Sequence, residues 1–400
     1  MSSGKGERLI ALDVLRGLAV AGMILVVSPG DWGMTWSGLQ HAAWDGWRLA
    51  DMVFPTFLFS VGVAIALSFP RAFNPAAQRV FWLRVGRRVL LLIVLGLALE
   101  ATYNLSLALG GGGPGQADLA HLRLPGVLQR IALCYGLAVL AVVATGRMAT
   151  QRISLRPGAV GAVIAAVLIS YWLLLTFTPV PAYGVGRLDP EGNLGAFIDR
   201  AVFTPPHLWP LGWAEPGGPV VYDPEGLLST LPATTNVLFG VLAGHVVSTR
   251  AARAPLILAS SGLGLFLIGR ALDPVFVINK RIWTSSFALL SSGFSFMVLA
   301  ALMTIKGQRV IDTLSKPFRI LGGNAIAAFV LSTLLGRLYG MPLLPSAEAV
   351  QRTPQGWLNA RMLSVFGEPY WASFACAVLM VAVVTLILTP LHRRAIHIRL

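Results

Sequence analysis

Stretches of about twenty residues, nearly all apolar, recur along the whole 400-residue chain. They lie near 9–30, 50–69, 87–107, 125–145, 158–178, 227–248, 255–272, 284–305, 318–338 and 370–390. That length matches the ~20 residues an α-helix needs to cross a bilayer, and in lipid only helices and closed barrels satisfy their own backbone polar groups. The chain therefore reads as an all-α polytopic membrane protein of about ten transmembrane helices, forming a single domain over residues 1–400. Composition agrees, with 12% charged residues against roughly 25% in soluble domains.

Net charge is +14, but its distribution argues against nucleic acid as a partner. Arg71, Arg79, Arg84, Arg87 and Arg88 fall between or at the edges of spans two and three; Arg147, Arg152 and Arg156 follow span four. Arg250 and Arg253 follow span six, Lys306, Arg309 and Lys316 follow span eight, and Arg393, Arg394 and Arg399 close the chain. The acids Asp189, Glu191, Asp199, Glu215, Asp223 and Glu225 share the long 179–226 loop on the alternate side. Basic loops stay cytoplasmic. Both termini are thus expected inside and the 179–226 loop outside, which is the periplasmic side if the source is a Gram-negative bacterium. That loop is too long for a simple turn and, with Pro205, Pro206, Trp209, Pro210 and Trp213, reads as a cap over the outer mouth.

The first apolar run follows "KGER" like a signal peptide, but Asp13 and Arg16 interrupt it and no small-residue cleavage site follows, so it reads as the first span. Cys134 and Cys376 sit inside apolar runs and read as buried free thiols. "GGGGPG" at 110–115 lacks the Lys-Ser/Thr of a phosphate loop and reads as a flexible outer connection. No internal repeat is visible.

Polar residues inside apolar spans are costly and point to partners or cavities. Asp13 and Arg16, three apart, are placed for a local ion pair or a functional role. Gln129 and Arg130 sit early in span four, with Asp51 of span two as the expected partner of Arg130, either structurally or as part of a site. Asn236, Asn279, Lys280 and Asn324 at other span ends help outline a hydrated cavity opening outward. The six histidines show no helical i, i+4 pair and no cysteine at ligand spacing, so no metal site is expected. There is no Gly-x-Ser-x-Gly elbow.

The blocks "ALDVLRGLAVAGMILV", "HAAWDGWRLADMVFPTFLFSVG", "LPGVLQRIAL", "YDPEGLLSTLPA", "INKRIWTSSFALLSSG" and "GGNAIAAFVLS" follow in the order and spacing of one family. The chain resembles the transmembrane acyltransferases related to heparan-α-glucosaminide N-acetyltransferase, whose bacterial members resemble the NagX proteins. The resemblance runs from residue 8 to about 390, and the block that opens at His41 is its most specific part.

That resemblance implies a catalytic histidine at His41, cytoplasmic acetyl-CoA as donor, and the free amine of a glucosamine unit on the far side as acceptor. The imidazole's unperturbed pKa near 6.5 suits it to take the amine's proton; acting as an acetyl carrier is the alternative. To orient the ring, Asp51 is preferred over Asp45, which is four residues on but not required by the family. By the same resemblance, relatives usually carry Asn at the position of Val27 and often a second Asn at Ser28, where an amide would help hold the thioester carbonyl or the substrate; this chain lacks that amide, and Ser28 substitutes for it only in part.

CoA phosphates need cations on the inner face, for which Arg84, Arg87 and Arg88 are the densest cluster, with Asn324 beside them; positive-inside topology and lipid headgroups account for the arginines equally. For the acceptor, the candidates are Trp44, Gln129, Arg130, Asp223, Glu225, Asn279, Lys280 and Trp283, although Asp223 and Glu225 would also suit the cap of the following helix. The expected partners are the amino sugar and membrane lipids, with a homodimer allowed. The competing functions are an amino-sugar or lipid-linked-sugar transporter and an O-acyltransferase of a surface polysaccharide.

Overall fold

The computed structural model describes residues 3–69, 73–109, 119–149, 152–305, 313–345, 352–396 and 398. The glycine stretch 110–115, together with Arg71, Lys306, Arg309, His397 and Arg399, lies outside them.

Nearly all regular structure is helical. The helices are α1 (Ser3–Val27), α2 (Leu49–Ser68), α3 (Pro75–Leu109), α4 (Val127–Thr145), α5 (Pro157–Phe177), α6 (Leu194–Phe203), α7 (Thr230–Thr249), α8 (Ala254–Ala271) and α9 (Ser285–Thr304). They continue with α10 (Lys316–Gly323), α11 (Ala325–Gly340), α12 (Pro354–Phe366) and α13 (Pro369–Arg393). A hairpin of Arg147–Ala149 with Arg152–Ser154 joins α4 to α5. Among the described residues nine helices are long and apolar enough to span a membrane, or ten if α10 and α11 count as one. The chain is thus an all-α, multi-pass membrane protein.

Burial sorts the bundle. Windows of α2 and α7 are largely buried, whereas α3, α5, α8 and α13 expose most of theirs. The pair at the centre packs backbone to backbone. A Cβ added at Gly62 would sit 1.8 Å from the Val237 carbonyl oxygen, and one at Gly240 2.0 Å from that of Phe59. Small residues at helix crossings are how helices associate in lipid, where apolar burial gives no net drive.

Two spans differ from the sequence reading. The third is not a helix over 87–107 but a continuous one over Pro75–Leu109, so Arg79 and Arg84 ride on it instead of preceding it. The single span expected near 318–338 is two helices meeting at 93°. Gly322 packs on the Asp13 carbonyl of α1, which draws α10 against the first span. Asn324, at the break, leaves the helical conformation and spends its amide on the C-terminal segment: Nδ2 donates to the Ile396 carbonyl at 3.2 Å and Oδ1 accepts from Ile398 N at 2.8 Å. A Gly-Gly-Asn run with such an anchor favours a corner over a continuous helix.

The 179–226 segment is folded rather than loose. It carries α6 and a 3₁₀ turn at Pro205–His207, and its apolar residues Val180 and Leu194 pack with Tyr171, Leu175, Phe276 and Ile282. It is stitched to the segment ahead of α4 by Leu124 N to the His207 carbonyl at 2.9 Å and by His207 Nδ1 to the Leu122 carbonyl at 2.7 Å.

Candidate active site

Asp51 is the third residue of α2, where a carboxylate is favoured by the helix dipole and can satisfy the unpaired N–H groups of the first turn. Its Oδ2 accepts from Arg48 N at 2.8 Å and Ala42 N at 3.1 Å. Those two donors fix the carboxylate and leave Oδ1 facing the preceding loop. There His41 Nδ1 lies 2.7 Å away, the geometry of an Nδ1–H donor on a carboxylate. With the proton on Nδ1, Nε2 carries the free lone pair.

A second loop brings a cation to this pair. Gly46, at φ +87°, turns the chain so that its N–H donates to the Ile278 carbonyl at 2.7 Å. Asn279, fully buried, locks the contact: Nδ2 donates to Asp45 Oδ1 at 3.2 Å, while Oδ1 accepts from Ile282 N at 3.1 Å. The next residue is Lys280, whose Nζ lies 3.0 Å from His41 Nδ1, 3.3 Å from Nε2 and 3.5 Å from Asp51 Oδ1. Burial and then the Lys280 cation push His41 below the ordinary imidazole value, against the pull of Asp51. Burial pushes Lys280 down to about 8, with Asp51 holding it back.

His41 and Lys280 open onto a cavity of about 660 Å³. Its wall comes from the end of α1 (Met23, Val26, Val27), the start of α2, the second half of α3 (Gly96 to Leu107), the start of α4 with Gln129, and α11 from Phe329 to Gly340. Volume and mixed lining suit a small polar ligand. Among the described residues no three His, Cys, Asp or Glu are grouped as for a metal ion.

The expected Asp51–Arg130 pair does not form. Arg130, buried beneath the site, donates through Nη2 to the Gly226 carbonyl at 2.8 Å and to Ser229 Oγ, with its guanidinium 5.3 Å from the Trp283 ring. Two turns of loop geometry decide this: Asp51 is already filled by His41, Ala42, Arg48 and Lys280. Trp283 lies in the core, 1% exposed, its indole N–H on Asn236 Oδ1 at 2.9 Å, not on the cavity wall. Trp44 packs edge-on against Tyr222 at 4.9 Å and donates to the Leu188 carbonyl at 2.9 Å, tying the 179–226 segment to the His41 loop. Of that segment only Glu225 reaches the cavity lining. Asp45 faces Asn279 rather than His41.

Gln129 lines the cavity and donates to the Leu124 carbonyl at 3.2 Å. Asp223 and Glu225 do not cap α7, which starts at Thr230 without a side-chain cap. Both bind Arg123 instead. Arg84 and Arg87 are exposed on α3, and Arg88 stacks on Tyr135 at 4.6 Å; none lines the cavity, nor does Asn324. Asp13 and Arg16 form their local pair at 3.7 Å.

Sequence reading named Asp223 and Glu225 but passed over Arg123 and Glu100, which join them in a charged cluster at the cavity wall. Arg123 Nε and Nη2 grip Asp223 at 2.9 and 2.7 Å, Nη2 also meets Glu225, and Nη1 lies 3.7 Å from Glu100 of α3. A carboxylate in the apolar run "LALEATYN" was the available signal, since charge inside a span implies a partner. Because Arg123 holds three acids, Arg123→Met should strand them and lower stability by about 3 kcal/mol. A thermal melt of the purified protein in detergent checks this; an unchanged midpoint would mean that water already screens the cluster.

No family model matches the chain. It is similar to the heparan-alpha-glucosaminide N-acetyltransferase of Homo sapiens, 31% identical over 359 residues that make up 81% of this chain and 52% of that protein. It is 28% identical to the protein of the same name from Mus musculus over 360 residues, 81% of this chain and 53% of that one. The chain therefore spans about half the length of the curated relatives it matches. By architecture it is a multi-pass membrane protein, and over 81% of its length it is similar to heparan-alpha-glucosaminide N-acetyltransferase.

Proposed function

We propose that the chain is a transmembrane N-acetyltransferase of a bacterial inner membrane. It moves an acetyl group from cytoplasmic acetyl-CoA to the amine of a glucosamine-type sugar on the periplasmic side. The observation that carries this reading is the His41–Asp51 pair, 2.7 Å apart and set at the edge of a 660 Å³ cavity. The relatives' printed name supports the reaction class.

A protonated sugar amine is no nucleophile, and CoA is too large and charged to cross a bilayer. The bundle brings the two reactants to one cavity instead. The amine attacks the thioester carbonyl, forming the C–N bond, while His41 Nε2 takes the N–H proton. The tetrahedral intermediate collapses, the C–S bond breaks, and the thiolate recovers the proton from the imidazolium. Asp51 holds the ring and stabilises its charged form throughout. In this reading Glu225 and Gln129 are placed on the cavity wall to meet sugar hydroxyls, and the exposed Arg84 and Arg87 to meet CoA phosphates. The 179–226 segment serves as a cap.

Thiol release from acetyl-CoA by the purified protein, with and without glucosamine, tests the reaction. Release dependent on the amine supports it. Release only with hydroxyl acceptors favours O-acylation, and none with any sugar leaves transport. Sidedness has its own test. Ser37, Pro216 and Ala76 are all exposed, and single cysteines there, in a background lacking Cys134 and Cys376, report which face each occupies. Ser37→Cys and Pro216→Cys should react with an impermeant thiol reagent in intact cells, and Ala76→Cys only after lysis. Labelling of Ala76→Cys in intact cells would invert the topology.

Val27 lines the cavity and is half exposed, whereas Ser28 is buried outside the lining, its hydroxyl without a partner. Ser28 therefore does not replace the amide that relatives place at position 27. Val27→Asn should raise kcat/KM for the amino sugar by about tenfold, as a donor is added beside the reacting carbonyl. Initial thiol-release rates measure it; an equal or lower rate would mean the carbonyl is held elsewhere.

A further inference from the structure

Lys280 stands closer to the catalytic histidine than any substrate-binding role requires. Its Nζ is 3.0 and 3.3 Å from the two ring nitrogens and 3.5 Å from Asp51 Oδ1, and it lines the same cavity. With Nδ1–H committed to Asp51, the ammonium has no lone pair to meet at Nδ1. Its near-equal distances to the two ring nitrogens set it over the imidazole, within 3.5 Å of the carboxylate and 3.3 Å of the atom that must accept the proton. The loop that carries it is not free to swing, because Asn279 and Gly46 staple it to the His41 loop.

We propose that Lys280 is a positioning and electrostatic residue of the reaction: its cation keeps His41 neutral in the resting site and then faces the oxyanion of the thioester carbonyl as the acceptor amine adds. The inference rests on the acyltransferase reading and names a residue that reading does not need. A second positive charge 3 Å from an ammonium is unfavourable, so Lys280 opposes premature protonation of the ring, while Asp51 favours it. Arg281, from the same loop, adds to the opposition, and Glu225, ahead of α7, faces Lys280 and helps hold it charged. When the amine arrives at Nε2, charge appears in two places. The imidazolium is stabilised by Asp51, and the carbonyl oxygen needs a fixed cation or donor. Of the cavity-lining cations Lys280 is the one against the base; Arg123 is spent on its three acids and Arg337 lies over the Tyr103 ring at 4.4 Å.

The test is the pH profile of kcat/KM, expressed per unprotonated acceptor amine, for the full chain in lipid nanodiscs, in wild type, Lys280→Met and Lys280→Arg. The wild type should rise to a plateau below pH 6.5 as His41 loses its proton and decline above about 8 as Lys280 loses its own. In Lys280→Met the acid limb should move up by about one pH unit, the alkaline decline should vanish, and the plateau should drop about 100-fold. Lys280→Arg should keep the acid limb low and carry the alkaline limb to higher pH. An acid limb that does not move in Lys280→Met, or a loss confined to KM for the sugar, overturns the proposal. If the wild type turns over no acceptor, the acyltransferase reading falls. The proposal is then still decided by titrating His41 directly with ¹⁵N-histidine NMR, where Lys280→Met must raise its pKa. Should Lys280→Met fail to fold, Lys280→Gln carries the same comparison.

Discussion

Replacing His41 by alanine is expected to lower acetyl transfer about 10⁴-fold while the protein keeps its fold and its affinity for acetyl-CoA. The ring is a third exposed, and among the described residues its polar contacts are to Asp51 and Lys280. Removing it leaves Asp51 with the Ala42 and Arg48 N–H groups and Lys280, so no buried charge is stranded. Stability should therefore move little while the proton acceptor disappears. Thiol release measures the rate, a thermal melt the fold, and a fluorescent CoA analogue the donor affinity. Turnover within tenfold of wild type would exclude His41 as either base or acetyl carrier. The two roles separate in a single-turnover experiment with labelled acetyl-CoA and no sugar. An acetyl carrier traps label on His41, whereas a base leaves the protein unlabelled.

The membrane architecture was legible because lipid imposes it. A span must be long and apolar, and that condition is visible residue by residue. What composition misses is where a helix bends or overshoots. The corner at Asn324 depends on bonds to Ile396 and Ile398, more than seventy residues away, and the extra turns of α3 carry Gln78, Arg79 and Arg84, which interrupt the apolar run that would announce them. The site was legible in part for a similar reason. An aspartate three residues into a helix is a local feature, and its loop histidine follows from ten residues of sequence. Its companion across the bundle is not local. Arg130 looked like the counter-ion because both residues are charges in apolar spans. Sequence did not reveal that Gly226 and Ser229 would take Nη2 of the guanidinium, or that Lys280 would be held over the imidazole by Asn279. Trp283 misled for its type: indoles stack on sugars, but this one has φ +52° and hydrogen-bonds Asn236 inside the core.

The second large effect is expected from Asp51→Asn, about 10³- to 10⁴-fold in kcat, with little change in folding. The two halves of the carboxylate have different duties. Oδ2 accepts two backbone N–H groups, from Ala42 and Arg48, and an asparagine must keep its oxygen there or set an amide against two donors. Its NH₂ is then driven to the position of Oδ1, facing His41 Nδ1. A donor there cannot receive Nδ1–H, so the ring takes the other tautomer, with the proton on Nε2 and the lone pair turned away from the cavity. The residue that should accept the acceptor's proton already carries one, and a histidine held in the wrong tautomer loses about 10⁴ in rate. Asp51→Ala makes a sharper comparison. It leaves the two N–H groups without a partner and should lower stability by about 1–2 kcal/mol. Yet it imposes no tautomer, so per folded molecule it should turn over faster than Asp51→Asn. Thiol-release rates corrected for the folded fraction, with ¹⁵N shifts of the His41 ring to read the tautomer, decide the order. If Asp51→Ala is the slower of the two, the tautomer account fails, and Asp51 acts by holding the His41 loop through the Ala42 and Arg48 N–H groups.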